Sequence, residues 1–458
     1  MGFFEAATQL PALSLVFFIL AMLIAFGFEF VNGFHDTANA VTTVIYTRTM
    51  KATPAVIYSG FMNFIGVIAG GTAVAFSIVN LLPVDLLIDN QGGRSLVMVL
   101  SLLAGGLVWN LGTWYVGLPV STSHTLIGSI LGIGLVSSLL KGQGVAGVNW
   151  AQAMTVMLAL IISPLIGFCF SAVGLLAMKF IIRDERLYKE MPKDVAPPFW
   201  VRMLLVGTCG GVSFAHGSND GQKGMGLILL VLIGFLPFHY AMDIFDPEKG
   251  AKCTHAIQQI QDTLGDKTKG LPDIQSKLEK VAADVAGKYG LDEIPPSERW
   301  GVRKDIYQLV EAFKKTDLLD KDQKAKIAPQ IHTLRSAIEF VPLWVIVGVA
   351  LALGIGTTIG YQRVVITVAE KIGKSHLTFG QGAMAELVAA LTILAAVYFK
   401  LPVSTTHVLS SGIAGTMAAN NSGVQLDTCK RILLAWFLTL PLSIILSGIL
   451  FLTTSVFF

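Results

Sequence analysis

Two short polar runs, each embedded in apolar sequence, limit what this chain can fold into. The first is Asn32-Gly33-Phe34-His35-Asp36-Thr37-Ala38-Asn39-Ala40, and the second is His216-Gly217-Ser218-Asn219-Asp220-Gly221-Gln222-Lys223-Gly224. Each puts an aspartate into a stretch that reads as membrane-spanning. A carboxylate is expensive to hold there, so such a residue is a functional candidate by default. Each run also has a partner downstream: Leu118-Pro119-Val120-Ser121-Thr122-Ser123-His124 after the first, and Leu401-Pro402-Val403-Ser404-Thr405-Thr406-His407 after the second. Asp36 and His124 are 88 positions apart; Asp220 and His407 are 187 apart, and 90 of these lie outside a 97-residue charged stretch. Landmarks recurring at nearly equal spacing mark one unit written twice.

The composition agrees with a membrane protein. Only 14% of the 458 residues are charged and 53% are hydrophobic, against about 25% charged in a soluble domain. Asp243–Glu339 alone holds 16 of the 33 basic and 17 of the 30 acidic residues. The rest is hydrocarbon-compatible. A net charge of +3 is too small to imply a nucleic-acid partner. Cys169, Cys209, Cys253 and Cys429 have no spacing that suggests zinc or a disulfide framework. The apolar run from Leu13 to Phe28 lacks a basic start and leads into the first polar run, so it reads as a retained span.

Spans are expected over 12–47, 54–82, 95–116, 117–140 and 150–182, with Pro164 as a kink in the last. Residues 117–140 suit either a span or a re-entrant hairpin. The second half repeats the order over 203–240, 341–361, 379–399, 401–419 and 429–454. The expected organisation is a first transmembrane repeat (1–182), a basic cytoplasmic linker (183–202), the start of a second repeat (203–240), a soluble helical insert (241–339) and the remainder of the second repeat (340–458). Lys and Arg concentrate at 48–51, 183–202, 363–374 and 430–431. Five crossings per half, starting outside, put these clusters inside and the insert outside. Five is odd, so the second half runs inverted. The expected fold is all-α and polytopic, with two inverted-topology repeats whose helices are broken at the polar runs, and binding near the midplane. The insert reads as a solvated helical cap, with helices over 298–316 and 319–338 and breaks at Gly270-Leu271-Pro272 and Ile294-Pro295-Pro296-Ser297.

Asp36 and Asp220 could hold a cation with the freed carbonyls of an unwound helix, or carry a proton; the plainer reading is two caps on half-helices. In Ser121-Thr122-Ser123 and Ser404-Thr405-Thr406, hydroxyls follow a proline by two residues, which suits a helix start where free N–H groups and the dipole favour an anion. Two such starts make an anion site with no fixed arginine; ordinary N-caps are the alternative. His124 and His407 follow directly and are placed behind the site as helix–helix hydrogen bonders. Lys223 lies one turn from Asp220, and a buried Asp–Lys pair competes there with a functional role. Glu29 sits seven residues before Asp36 on the same helix face, and Glu386 has no twin in the first half.

The two polar runs resemble the duplicated Gly-Ala-Asn-Asp-Val-Ala-Asn-Ala signature of the inorganic phosphate transporter (PiT) family, and the Pro-Val-Ser-Thr-Thr-His runs match that family too. The likeness covers nearly the whole membrane portion and is nearest to bacterial low-affinity members with an insert in the second half. It implies uptake of inorganic phosphate across a bacterial cytoplasmic (inner) membrane, coupled to H+ or Na+. In proton-coupled members the substrate is implied to be a neutral complex of phosphate with a divalent metal. The chain departs from the signature at His35 and Lys223. A fixed ammonium at Lys223 could take the place of a sodium ion, and His35 could exchange a proton near neutral pH.

The expected function is therefore phosphate import by H+ symport, with Na+ coupling and a sulfate permease of the same architecture as alternatives. Ser121, Thr122, Ser123, Ser404, Thr405 and Thr406 are expected to bind phosphate. Asp36, Asn39, Asn219 and Asp220 are expected to hold the coupling ion or a phosphate-bound metal. His35 and Lys223 are expected to set the protonation chemistry, with Glu29, His124, Glu386 and His407 behind them. No cofactor is expected to be bound permanently, and a homo-oligomer is compatible with this reading. A channel is disfavoured because no ring of pore charges recurs. A membrane hydrolase is disfavoured because the Ser/His pairs lack a nucleophile elbow or a metal motif.

Overall fold

The computed structural model describes residues 7–82, 94–145, 148–190, 197–265, 272–316, 319–360, 365 and 372–456, excepting the side chains of 37–39, 94–96 and 315. The link at 83–93, most of the basic cluster at 363–374 and the Asn39 side chain thus lie outside the described residues. The chain forms two compact units, Val16–Val231 with Leu343–Phe458, and Met1–Leu15 with Leu232–Pro342. Among the described residues both are helical throughout, apart from one isolated bridge between Gly373 and Val424.

In chain order the helices of the larger unit are α1 (Ala12–Tyr46), α2 (Ala52–Ala69), α3 (Ala73–Val79), α4 (Arg94–Val116), α5 (Thr122–Leu140), α6 (Trp150–Ile181) and α7 (Phe199–Phe235). The smaller unit holds α8 (Pro237–Tyr240), α9 (Lys249–Leu264), α10 (Pro272–Val285), α11 (Pro296–Lys315) and α12 (Lys321–Ser336). The larger unit resumes with α13 (Leu343–Thr357), α14 (Phe379–Tyr398), α15 (Thr405–Ala419) and α16 (Leu426–Thr454). Seven of the described helices are long and apolar enough to cross a membrane. Helix α6 exposes Ile161, Leu165, Phe170 and Leu176, and α16 exposes Leu433, Phe437, Ile445 and Leu452. Apolar side chains that face outward in such numbers face lipid. The protein is an all-α, multi-pass integral membrane protein.

Two expectations are corrected. The polar runs do not break their helices: α1 and α7 run without interruption through Asn32–Ala40 and His216–Gly224. Neither run contains a proline, and its glycines lie close against neighbouring helices. A Cβ at Gly33 would meet the backbone of α13, at Gly217 the backbone of α2, and at Gly221 the Val67 side chain. These glycines let helices cross closely; they do not unwind them. Conversely, the span expected over 54–82 is interrupted. Gly71 takes a φ of +78° between α2 and α3, a conformation an L side chain rarely adopts.

The two halves pack on each other reciprocally. Helix α5 lies against α16 and α15 lies against α6; likewise α4 contacts α16 and α14 contacts α6. Glycines set both crossings. Gly128 and Gly132 of α5 admit the backbone of α16 at Leu440 and Ile444, and Gly415 of α15 admits the Phe168 carbonyl of α6. Both partner helices carry an internal proline, Pro164 in α6 and Pro441 in α16.

The smaller unit has its own core, including Cys253, Ile257, Ile260, Leu278, Ile306, Leu309, Phe313 and Leu334. Helices α10 and α11 begin at Pro272 and Pro296, where a missing N–H costs nothing. Asp320 and Gln323 form a reciprocal capping box at the start of α12. Arg303 donates through Nη1 to Ala241 O at 2.6 Å and Ile338 O at 2.7 Å, tying the entry and exit of this segment together.

Candidate functional site

The duplicated Leu-Pro-Val-Ser runs form two hairpin tips built by the same local rules. Helix α4 ends with Gly117 at φ +75°, and α14 is followed by Lys400 at φ +60°. The next residue closes back over five positions in each case, Leu118 N to Thr113 O at 3.0 Å and Leu401 N to Ala396 O at 2.8 Å. This is a Schellman-type closure, which satisfies carbonyls left free at a helix end. Leu-Pro-Val then leads to a capping serine. Ser121 and Ser404 share φ −92°, with ψ 116° and 106°, and each hydroxyl accepts the amide of the histidine three residues on, at 3.2 Å. The Leu-Pro-Val-Ser runs and their caps thus start α5 and α15 in matching geometry. At 15 residues, α15 is about 22 Å long, short of the roughly 30 Å of a bilayer core.

Between these tips, α1 and α7 bring their polar runs together. Asp36 of α1 accepts from Thr122 Oγ1 at 3.3 Å, from Thr405 Oγ1 at 3.4 Å and, most closely, from Thr406 Oγ1. One carboxylate therefore joins the first turns of both α5 and α15. His35 Nδ1 stands 3.6 Å from Asp36 Oδ1, and His216 Nε2 stands 3.7 Å from Asp36 Oδ2. His216 Nε2 is also 3.4 Å from Asp220 Oδ2, one turn along α7. Asp220 is paired with Lys223 at 2.6 Å. Lys223 Nζ donates further to Ser123 Oγ at 2.5 Å and Val403 O at 2.7 Å. Asn219 grips the second tip with both ends of its amide: Nδ2 donates to Leu401 O at 3.1 Å, and Oδ1 accepts Val403 N at 3.3 Å. None of His35, Asp36, Asn219, Asp220 and Lys223 is more than 3% exposed. In so dry a place each charge needs the partners it has.

The sequence-predicted residues separate as follows. Asp36, Asn219, Asp220, Lys223, His35 and the hydroxyls of Thr122, Ser123, Thr405 and Thr406 converge. The hydroxyls of Ser121 and Ser404 accept cap hydrogen bonds beside them. The main-chain oxygens at the site come from the second tip, at Leu401 and Val403, and not from unwound helix. His124 and His407 pack ring to ring behind the tips with centroids 4.6 Å apart, and His407 stacks on Trp436 at 3.9 Å. Trp436 Nε1 in turn donates to Pro119 O at 2.9 Å. Glu386 accepts from Thr43 and from Thr208 Oγ1, the latter at 2.6 Å. Glu29 lies against Gly224 of α7.

Comparison with known proteins gives this constellation its context. The profile of the phosphate transporter family (PHO4) matches residues 32–447, a span containing both polar runs and both hairpins. This chain belongs to the phosphate transporter family. It is 38% identical to the low-affinity inorganic phosphate transporter of Buchnera aphidicola from Acyrthosiphon pisum, over 96% of each chain. It is 37% identical to the low-affinity inorganic phosphate transporter PitA of Escherichia coli K12, over 94% of this chain and 95% of that one. A solved structure named the sodium-dependent phosphate transporter matches with a TM-score of 0.58, covering 97% of this chain and 100% of that chain at 21% identity. That likeness speaks for the fold. A family of transporters, not of enzymes, also disposes of the hydrolase alternative.

In this phosphate transporter, sequence reading gave no role to His216, which stands between the two aspartates. Its Nδ1 is 2.9 Å from Asn63 Oδ1, and Asn63 Nδ2 donates to Thr357 Oγ1 at 2.9 Å, so α2 and α13 fix the ring from behind. The signal was present: His216 and Asp220 are four apart, one above the other on a continuous helix. Expecting that helix to be unwound hid the pairing.

Proposed function

We propose that this phosphate transporter imports inorganic phosphate by proton symport. The observation that carries the reading is the setting of Lys223. Its ammonium fills a cage of three oxygens, Asp220 Oδ1, Ser123 Oγ and Val403 O, all within 2.7 Å. A carboxylate, a hydroxyl and a main-chain carbonyl are the hard oxygen donors that a bare monovalent cation would use. With a fixed cation there, charge balance at the site does not require sodium. Thr122, Ser123, Thr405 and Thr406 then offer hydroxyls to the phosphate oxygens at the starts of α5 and α15, with Ser121 and Ser404 as caps that keep N–H groups aimed at the anion. A phosphate that arrives protonated donates to Asp36, which favours it over sulfate. His35 adjusts the charge beside Asp36. Alternating access comes from the hairpin-bearing halves rocking around this site as inverted repeats.

The test is uptake of radiolabelled phosphate into proteoliposomes. Accumulation under a proton gradient in sodium-free buffer supports the reading. Accumulation only under a sodium gradient overturns it, and accumulation of sulfate in preference overturns the choice of substrate.

A second reading is favoured by Asp36, His216 and Asp220, whose ligand atoms all lie within 4.8 Å of one another. Two carboxylates and an imidazole suit a divalent metal, so phosphate could travel as its neutral divalent metal complex. Equal co-uptake of a labelled divalent cation with phosphate supports this, and phosphate uptake unchanged by chelator excludes it.

A further inference from the structure

The described residues of the membrane unit contain four buried carboxyl groups, Glu29, Asp36, Asp220 and Glu386, and one of them is set apart by its partners. Asp36 has three hydroxyl donors and two histidines, Asp220 has Lys223 and His216, and Glu386 has two threonines. Glu29 is 0% exposed, yet its Oε1 has no hydrogen-bond partner and its Oε2 meets only Asn32 Nδ2, at 3.4 Å. The charged groups that act on it, Asp220, Lys223 and His216, are all on α7. Lys223 is already committed to Asp220, Ser123 and Val403. An anion with so few partners is far costlier here than a neutral carboxyl. The contact that covers it is also specific: a Cβ on Gly224 would meet the Glu29 carboxyl itself, so α7 closes directly over this group within one turn of Lys223.

We propose that Glu29 is the group that binds the transported proton, an inference that rests on the proton-symport reading above. With α7 closed on it, Glu29 is neutral. When rocking parts α1 from α7, water reaches the carboxyl and the proton leaves. Glu29 lies two turns from Asp36 on one face of α1, so its negative charge, when present, adds to those of the two aspartates against an incoming phosphate. Proton binding then raises affinity for phosphate, and phosphate raises affinity for the proton by the same factor.

Two assays on the full-length protein in sodium-free proteoliposomes test this. One is phosphate accumulation under an imposed proton gradient; the other is phosphate–phosphate counterflow at equal pH on both sides, measured across pH. Wild type is expected to accumulate phosphate and to show counterflow that falls as pH rises. Glu29→Gln, a permanent mimic of the neutral acid, is expected to lose accumulation and keep counterflow, with a flat pH profile. Glu29→Asp is expected to keep accumulation with a displaced profile. A Glu29→Gln variant that still accumulates phosphate overturns the proposal. So does a monodisperse Glu29→Gln variant that loses both activities, or a Glu29→Asp variant with the wild-type profile. Wild type that fails to accumulate under the proton gradient, but does so under sodium, overturns proton symport itself and is seen before any variant is made.

Discussion

Lys223 of α7 and Ser123 of α5 meet at 2.5 Å across a sequence separation of 100 residues. The same ammonium reaches the Val403 carbonyl at the tip before α15. One cation therefore fastens both hairpin tips to one scaffold helix, and Asp36 repeats the arrangement with opposite sign through Thr122, Thr405 and Thr406. Movement of either tip disturbs both charges.

Removing that cation should be costly. Lys223→Ala leaves Asp220 buried with His216 as its remaining partner, and breaking a buried pair in this way destabilises by about 3–5 kcal/mol. Thermal unfolding in detergent is expected to drop sharply, and proton-driven uptake to vanish. The vacated oxygen cage should then respond to sodium, which is expected to raise the melting temperature of the variant but not of wild type. Equal responses in the two proteins would contradict the idea that Lys223 stands in for sodium.

The two capping serines can be separated from their neighbours by paired substitutions. Ser121→Ala and Ser404→Ala should each cost about 1 kcal/mol, whereas the glycine variants should cost only a few tenths. Because the hydroxyls also border the proposed phosphate position, both glycine variants are expected to raise the KM for phosphate uptake. A wild-type KM in both would restrict these serines to capping.

Much of this was legible because it is written twice. The prolines and hydroxyls of the two hairpins announce a turn followed by a helix start, and both tips obey that chemistry. The aspartates were legible because charge is rare in apolar sequence. What misled was polarity inside apolar sequence. The polar runs Asn32–Ala40 and His216–Gly224 suggest broken helices, but their glycines Gly33, Gly217 and Gly221 serve close helix crossings that only tertiary packing reveals. Gly71, inside the span expected over 54–82, takes a φ of +78° and separates two helices there. The link from His216 to Asn63 and Thr357 spans three helices and has no local sequence signal.

Cys253 offers a chemical probe of the smaller unit. Burial pushes its thiol up from the ordinary 9.0 to about 11. The folded state therefore keeps a proton that the unfolded chain gives up between about pH 9 and 11, so this group makes stability fall as pH rises through that window. At pH 8 a charged maleimide is expected to leave Cys253 unlabelled until denaturant is added. Rapid labelling of the native protein, read by mass spectrometry, would show that α9 opens locally.

Arg303→Met should loosen the same unit at its root. It strands the carbonyls of Ala241 and Ile338, each worth about 1–3 kcal/mol when left unsatisfied. Trypsin is expected to cut within 241–339 faster in the variant than in wild type, with the rate followed on gels. Identical cleavage rates would mean that these carbonyls find other donors.

The reciprocal packing of the two halves carries a consequence for synthesis. Helix α5 rests on α16, which begins roughly 290 residues after α5 ends. At about 5–20 residues per second, the first hairpin waits some 15–60 s for its partner helix to emerge. During that interval its Gly128–Gly132 stripe has no α16 to cover it. Ribosome stalling or truncation before Leu426 therefore leaves a chain that has inserted most of its helices and still lacks the surface its first hairpin is shaped to meet, a ready substrate for membrane quality-control proteases.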